Sequence, residues 1–290
     1  MLIFGKINHL DPLSTAKMPL IRSGWIRSLL FFAAFLLSYL LVDGIYMQTS
    51  LAASLPLLYS GALIFAVAAV VVVPVFVKYV DASSIRSLGF NWNGHVKDAA
   101  TGGILAVTLL SIGALILILS NNLSLRPATI SVSGLISGVA IMGVVALAEE
   151  TVFRGYILGN LLLSFNRGFA LLISAALFSV VHTSNPGITI VATANVFLAG
   201  LLLGLNYIYT RNLWFGICFH LTWNFVQGPV LGFHVSGLQH DSIVNATVSG
   251  NRLLTGDPFG LEGSLLITLL LILSLVLLNN AYKSRRQPSK

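Results

Sequence analysis

Charge is what this chain most lacks. Only 9% of its 290 residues are Asp, Glu, Lys or Arg, glutamate occurs at 149, 150 and 262 alone, and 56% of the residues are hydrophobic. That balance excludes an ordinary soluble domain. Cysteine occurs once, at Cys218, which excludes an intrachain disulfide and any Cys-based metal cluster. The N-terminal stretch MLIFGKINHLDPLSTAK lacks the charged-then-apolar order and small-residue cleavage site of a signal peptide, and reads as a retained cytoplasmic tail. Net charge is +7, but the basic residues lie between apolar runs and at the ends. They read as determinants of membrane orientation, with no nucleic-acid surface implied.

What the chain does have is apolar sequence in membrane lengths. A spanning helix needs about 20 mostly apolar residues, and such runs fall at 25–46, 54–78, 99–120, 134–160, 168–183, 187–209, 213–232 and 263–281. The expected fold is all-α, a polytopic transmembrane helical bundle of about eight helices with a polar intramembrane site. Its expected divisions are a cytoplasmic tail at 1–24, one transmembrane domain at 25–281 and a basic cytoplasmic tail at 282–290. Thr-Ser-Asn-Pro-Gly at 183–187 marks a tight turn between the fifth and sixth helices.

Eight spans put both termini on one side. That side then holds Lys6, Lys17, Arg22, Arg27, Lys78, Arg86, Lys97, Arg167, Arg211, Lys283, Arg285, Arg286 and Lys290, while the opposite loops hold only Arg126 and Arg252. By the positive-inside rule both termini are expected in the cytoplasm, and the protein in the plasma membrane if its source is bacterial. The longest outer loop, 233–262, carries His234, His240 and Asp241; these read as solvated loop residues. Gly61, Gly102, Gly103, Gly138, Gly143, Gly200 and Gly204 read as close-packing positions between helices.

Against this background the run ALAEETVFRGY at 146–156 stands out. A charged side chain near the bilayer centre costs about 2.5–3.5 kcal/mol on translocon scales, so Glu149, Glu150 and Arg154 require compensation or a function. At about 100° per residue Glu150 and Arg154 share a helix face, whereas Glu149 points about 100° away. Arg154 is expected to neutralise Glu150. Glu149 is left beside a like charge in a poorly hydrated setting, the situation of a general base.

Three more polar side chains lie at matching depth. Glu149 is about 15 residues from the outer start of its helix and His182 about 14 from the inner start of the next, roughly 20 Å in at 1.5 Å per residue. Asn224 is about as far from the cytoplasmic Arg211, with His220 one turn shallower. A carboxylate takes a proton from water that His182 helps to hold, and His220 and Asn224, spaced i,i+4, present N–H groups to a developing oxyanion. Such a set suits amide hydrolysis. Ser179 and Thr222 form no triad and read as packing or backbone-bonding hydroxyls. Glu149, His182 and His220 would also supply three ligands to a catalytic zinc, but the H-E-x-x-H signature and any chelating i,i+4 His pair are missing. Metal-free general-base catalysis, with no cofactor, is the preferred reading over zinc.

Glu149-Glu150-x-x-x-Arg154-Gly155, Phe178-x-x-x-His182 and His220-x-x-x-Asn224, with Phe197-x-x-Gly200-x-x-x-Gly204 and Arg211-Asn-Leu-Trp214 between the last two, resemble the polar motifs of the CPBP intramembrane proteases. That family includes the type II CAAX prenyl endopeptidases and bacteriocin-processing and self-immunity proteins. The resemblance covers about residues 130–230. It implies that Glu149 activates water together with His182, that His220 and Asn224 stabilise the oxyanion, and that Glu150 and Arg154 orient the site. It also implies a membrane-associated peptide or lipidated protein as substrate, with membrane lipid around it. Two other readings follow from the same residues: a non-catalytic immunity or scaffold protein, and an ion-coupled transporter, for which the expected internal repeat is not seen. Oligomeric state is left open.

Overall fold

The structure, a computed structural model, describes residues 18–129 and 131–286; the expected tail through Lys17, with Lys6, and Lys290 lie outside the described residues. Each apolar run folds as a helix: α1 (Gly24–Tyr46), α2 (Leu57–Val75), α3 (Val96–Leu119), α4 (Val132–Glu150), α5 (Arg167–Val181), α6 (Ile190–Thr210), α7 (Trp214–Phe225) and α8 (Leu265–Arg286). Six helical stretches are long and apolar enough to cross a membrane. The two shorter helices are α5, with 15 residues, and α7, with 12 before a π-helical continuation over Val226–Val230. Those two carry or adjoin the polar motifs.

The surface is apolar, as lipid solvation requires. Leu37, Leu41, Ile104 and Leu269 are exposed on the outside of the bundle; in water such a surface would aggregate. Helix starts are fixed by side-chain caps that satisfy free amides. Ser131 accepts from the Gly134 amide, Asn166 from Phe169 and Thr189 from Ala192. Within the bundle α3 lies along α7, α4 packs between α2 and α7, and α6 packs between α5 and α8.

The glycines divide into two groups. A Cβ on Gly200 would meet Ala175 of α5 at 3.1 Å, and one on Gly216 would meet Glu150 Oε2 at 2.5 Å; these positions allow backbones to approach within the monomer. Gly61, Gly138 and Gly143, in contrast, have nothing within 4 Å. The expectation that they are close-packing positions is corrected: they face open space.

The other correction concerns the loop expected on the outer side. Residues 233–262 are folded onto the bundle and are not simply solvated. Val244–Val248 forms β2, antiparallel to β1 (Leu123–Pro127) in the register Leu123↔Val248 to Pro127↔Val244. A two-stranded ribbon is weak alone, but Leu123 is buried beside α3 and Phe259 and Leu261 are fully buried beneath the loop. Backbone bonds Gly237 N to Phe259 O and Val235 N to Leu238 O close the loop on itself. It forms a cap over one end of the bundle. The turn at 183–187 meets this cap, with Asn185 Nδ2 donating to the Ser236 carbonyl at 3.2 Å.

Candidate active site

The helix that carries the paired glutamates changes pitch at them. After Glu150 it continues as a π-helix over Thr151–Leu158, where the expectation was an unbroken α-helix. Thr151 Oγ1 donates to the Leu147 carbonyl at 2.6 Å, competing for the acceptor at the point where the pitch widens. Wider turns of this kind recur at functional sites.

Glu150 and Arg154 remain paired across the change. Arg154 Nη1 donates to Glu150 Oε1 at 2.8 Å, and both side chains are almost wholly removed from solvent, at 1% and 0% exposure. Arg154 Nη2 also donates to the Gly200 carbonyl at 3.3 Å, and its guanidinium carbon stands 4.2 Å from the centre of the Phe178 ring. A buried charge is tolerable only when so surrounded. Glu150 Oε1 also faces His220 Nδ1 at 3.3 Å.

Glu149 has no such partner. Its Oε2 is buried and makes no hydrogen bond, yet His182 Nε2 lies 3.8 Å and His220 Nε2 3.9 Å from it. Both rings are turned by their other nitrogen: His182 Nδ1 donates to the Phe178 carbonyl at 2.7 Å, and His220 Nδ1 faces Glu150. In the neutral tautomer so fixed, His182 Nε2 carries the lone pair. Asn224, one turn beyond His220, lines the same cavities as the two histidines. The structure thus brings all six sequence-identified residues together, from α4 and its continuation, the end of α5, and α7. Ser179 Oγ donates to the Thr193 carbonyl at 2.9 Å, in keeping with a backbone-bonding hydroxyl.

Two cavities meet here. The larger, about 460 Å³, has Glu149, His182, His220 and Asn224 on its floor, apolar walls from α1, α2 and α4, and residues of the cap at its far end. The smaller, about 50 Å³, lies behind the histidines against α6 and α8. Among the described residues no group of three His, Cys, Asp or Glu side chains is arranged to hold a metal ion. Glu149, His182 and His220 therefore do not fit a zinc site in this arrangement.

The sequence assigns Glu262 no role. It lies part-buried in the wall of the smaller cavity. Its Oε1 accepts from Trp223 Nε1 at 2.9 Å, and its Oε2 accepts from the Ser236 amide at 2.7 Å and from Ser236 Oγ at 3.0 Å. Burial raises the carboxyl above its usual range, against the opposing effect of these donors. His240, also in the cap, lines the larger cavity with neither ring nitrogen hydrogen-bonded. Burial, reinforced by His234 and opposed by Asp241, lowers it to about 4. Nothing local in the sequence distinguishes these two from other loop residues.

No curated protein matches the chain. Residues 130–226, which run from α4 to the end of α7 and include all six polar motif residues, match the family model described as type II CAAX prenyl endopeptidase Rce1-like. Over those residues this membrane protein is similar to the Rce1-like type II CAAX prenyl endopeptidases, consistent with the CPBP family that its motifs resemble.

Proposed function

We propose that the protein is an intramembrane endopeptidase in which Glu149 activates a water molecule for attack on a peptide bond. The observation that carries this reading is the unpartnered, buried Oε2 of Glu149 facing two imidazole Nε2 atoms at 3.8 and 3.9 Å. Those separations are too long for direct hydrogen bonds and suit one water reaching all three groups. Glu149 takes a proton from that water while His182 Nε2, the acceptor of a ring locked by Phe178, holds its other hydrogen. The oxygen attacks the scissile carbonyl. Negative charge then develops on the carbonyl oxygen, where Asn224 donates an amide N–H and His220 donates Nε2–H in its protonated form. Glu149 returns its proton to the leaving amine.

Glu150 and Arg154 act by position. Glu150 accepts from His220 Nδ1 and fixes the ring's rotation, while Arg154 neutralises Glu150 and ties it to α6 through Gly200. The dry surroundings strengthen each of these interactions. The substrate in this reading is a membrane-associated peptide or lipidated protein, the apolar walls of the 460 Å³ cavity taking its hydrophobic part. Cleavage of such a peptide by purified protein in detergent is expected to be lost in Glu149→Gln and His182→Ala. Undiminished cleavage by both variants would refute the assignment.

A further inference from the structure

We infer that the substrate reaches Glu149 from the extracytoplasmic face, as a peptide segment presented on the side of the membrane opposite the basic loops. The inference rests on the protease reading above and adds the side from which it works. Two features of the structure carry it, the direction in which the cavity runs and the side on which the chain is sealed.

The cavity runs one way only. From Glu149 its walls rise past Val180 and Val181 at the end of α5, along Phe65, Ala62 and Gly61 towards the start of α2, to Ser184, Asn185, Ser236 and His240 in the turn and cap. In the other direction the way is filled. Every side chain from Val152 to Leu158 that follows the glutamates is buried to 1% exposure or less. Tyr156 stacks on Phe31 at 3.9 Å, and Phe153 packs edge-on to Phe178 at 5.2 Å.

The filled end is also the basic end. Arg27 pairs with Asp81 at 2.6 Å, the Leu213 amide donates to the Gly89 carbonyl, and Tyr207 Oη donates to the Leu88 carbonyl. These contacts gather the 78–97 segment, the turn at Arg211 and the start of α1 at one end of the bundle. The cap end holds Arg126 and Arg252 as its basic residues among those described. Lys and Arg in short loops are retained in the cytoplasm during insertion, so the open end is the outer one.

The cap end of the cavity is also suited to a peptide. His240 is neutral at physiological pH, with its pKa lowered to about 4. Both its nitrogens are buried without a hydrogen-bond partner, one donor and one acceptor that a peptide amide reaching them would satisfy. The facing wall, formed by Phe32, Leu36 and Leu40 of α1 and Phe65 of α2, is apolar.

Single cysteines in a Cys218→Ser background test the side directly. Ser184→Cys lies at the cavity rim, Ser249→Cys beyond β2 and Asn93→Cys in the turn before α3; all three positions are exposed. In intact cells a membrane-impermeant maleimide is expected to label Ser184→Cys and Ser249→Cys, and Asn93→Cys only after permeabilisation. The reverse pattern, or equal labelling of all three, overturns the inference. In sealed right-side-out vesicles, modification of Ser184→Cys from outside is expected to stop cleavage of a membrane-anchored reporter peptide. Labelling decides the side whether or not cleavage is detected, so absence of cleavage in the unmodified protein counts against the protease reading alone. Cleavage of a cytoplasmic prenylated peptide that persists after outside modification counts against this inference alone.

Discussion

His182 Nδ1 donates to the carbonyl of Phe178, one helical turn earlier, at 2.7 Å, and this single bond decides what the other side of the ring offers. Nε2 becomes the acceptor, 3.8 Å from a carboxylate oxygen that itself accepts nothing. Two acceptors placed so close require a donor between them, and a water with two hydrogens is the simplest one.

Glu149→Gln removes the proposed base while keeping the shape of the side chain. Peptide cleavage in detergent is expected to fall by about 10²–10⁴-fold, with the thermal midpoint essentially unchanged. Retained biological activity in this variant would favour the scaffold or immunity reading.

Arg154→Ala is expected to behave differently. It leaves Glu150 charged at 0% exposure, and breaking a buried pair from one side costs about 3–5 kcal/mol. The expected outcome is a lowered midpoint by fluorescence-monitored unfolding in detergent, together with lost activity. The contrast with Glu149→Gln separates the structural member of the glutamate pair from the one proposed to react.

Exhaustive chelation is expected to leave the cleavage rate unchanged, since Glu149, His182 and His220 are not arranged as a metal site. Loss of activity on chelation, restored by added zinc, would reverse this and point to a rearranged site.

Gly216→Ala places a methyl group 2.5 Å from Glu150 Oε2, whereas at Gly138 the added methyl has nothing within 4 Å. The first is expected to lower the cleavage rate by displacing Glu150 and with it His220. The second is expected to be neutral or to raise stability by about 0.5–1 kcal/mol through helix propensity. Rates and midpoints measured side by side on the two variants check both expectations.

His240 makes stability depend on pH. Its folded value of about 4 lies below the ordinary 6.5, so between these values the unfolded chain binds the proton more readily. Its contribution is complete above about pH 6.5 and is lost as pH falls towards 4. The thermal midpoint is expected to decline over that window, and His240→Gln to flatten the decline.

The membrane helices and the polar motifs were legible in the sequence because both are local signals. An apolar run declares its own length, and Glu150-x-x-x-Arg154 or His220-x-x-x-Asn224 declares a shared face through the period of the helix. The rise per residue alone places His182 level with Glu149. Three features had no local signature. The β1–β2 ribbon pairs residues more than a hundred positions apart in strands of five residues. The π-helical pitch after Glu150 depends on packing around residues 151–158. Glu262 acquires its partners Trp223 and Ser236 only when the cap folds back over α7.

That last contact constrains how the molecule can open. Glu262 joins the Trp223 ring, next to Asn224, to the Ser236 backbone, and Asn195 binds the carbonyls of Glu262 and Ser264 at 2.7 and 2.8 Å. Cap, α6 and α7 are thereby riveted into a single stator, and a hinge between them would break several buried hydrogen bonds at once. The opposite wall, Phe32, Leu36 and Leu40 of α1 against Phe65 of α2, is apolar, and apolar contact has no directional bonds to break. On the protease reading proposed above, a bulky substrate would part the bundle sideways, towards the lipid, and leave the polar side of the cleft undisturbed as it settles.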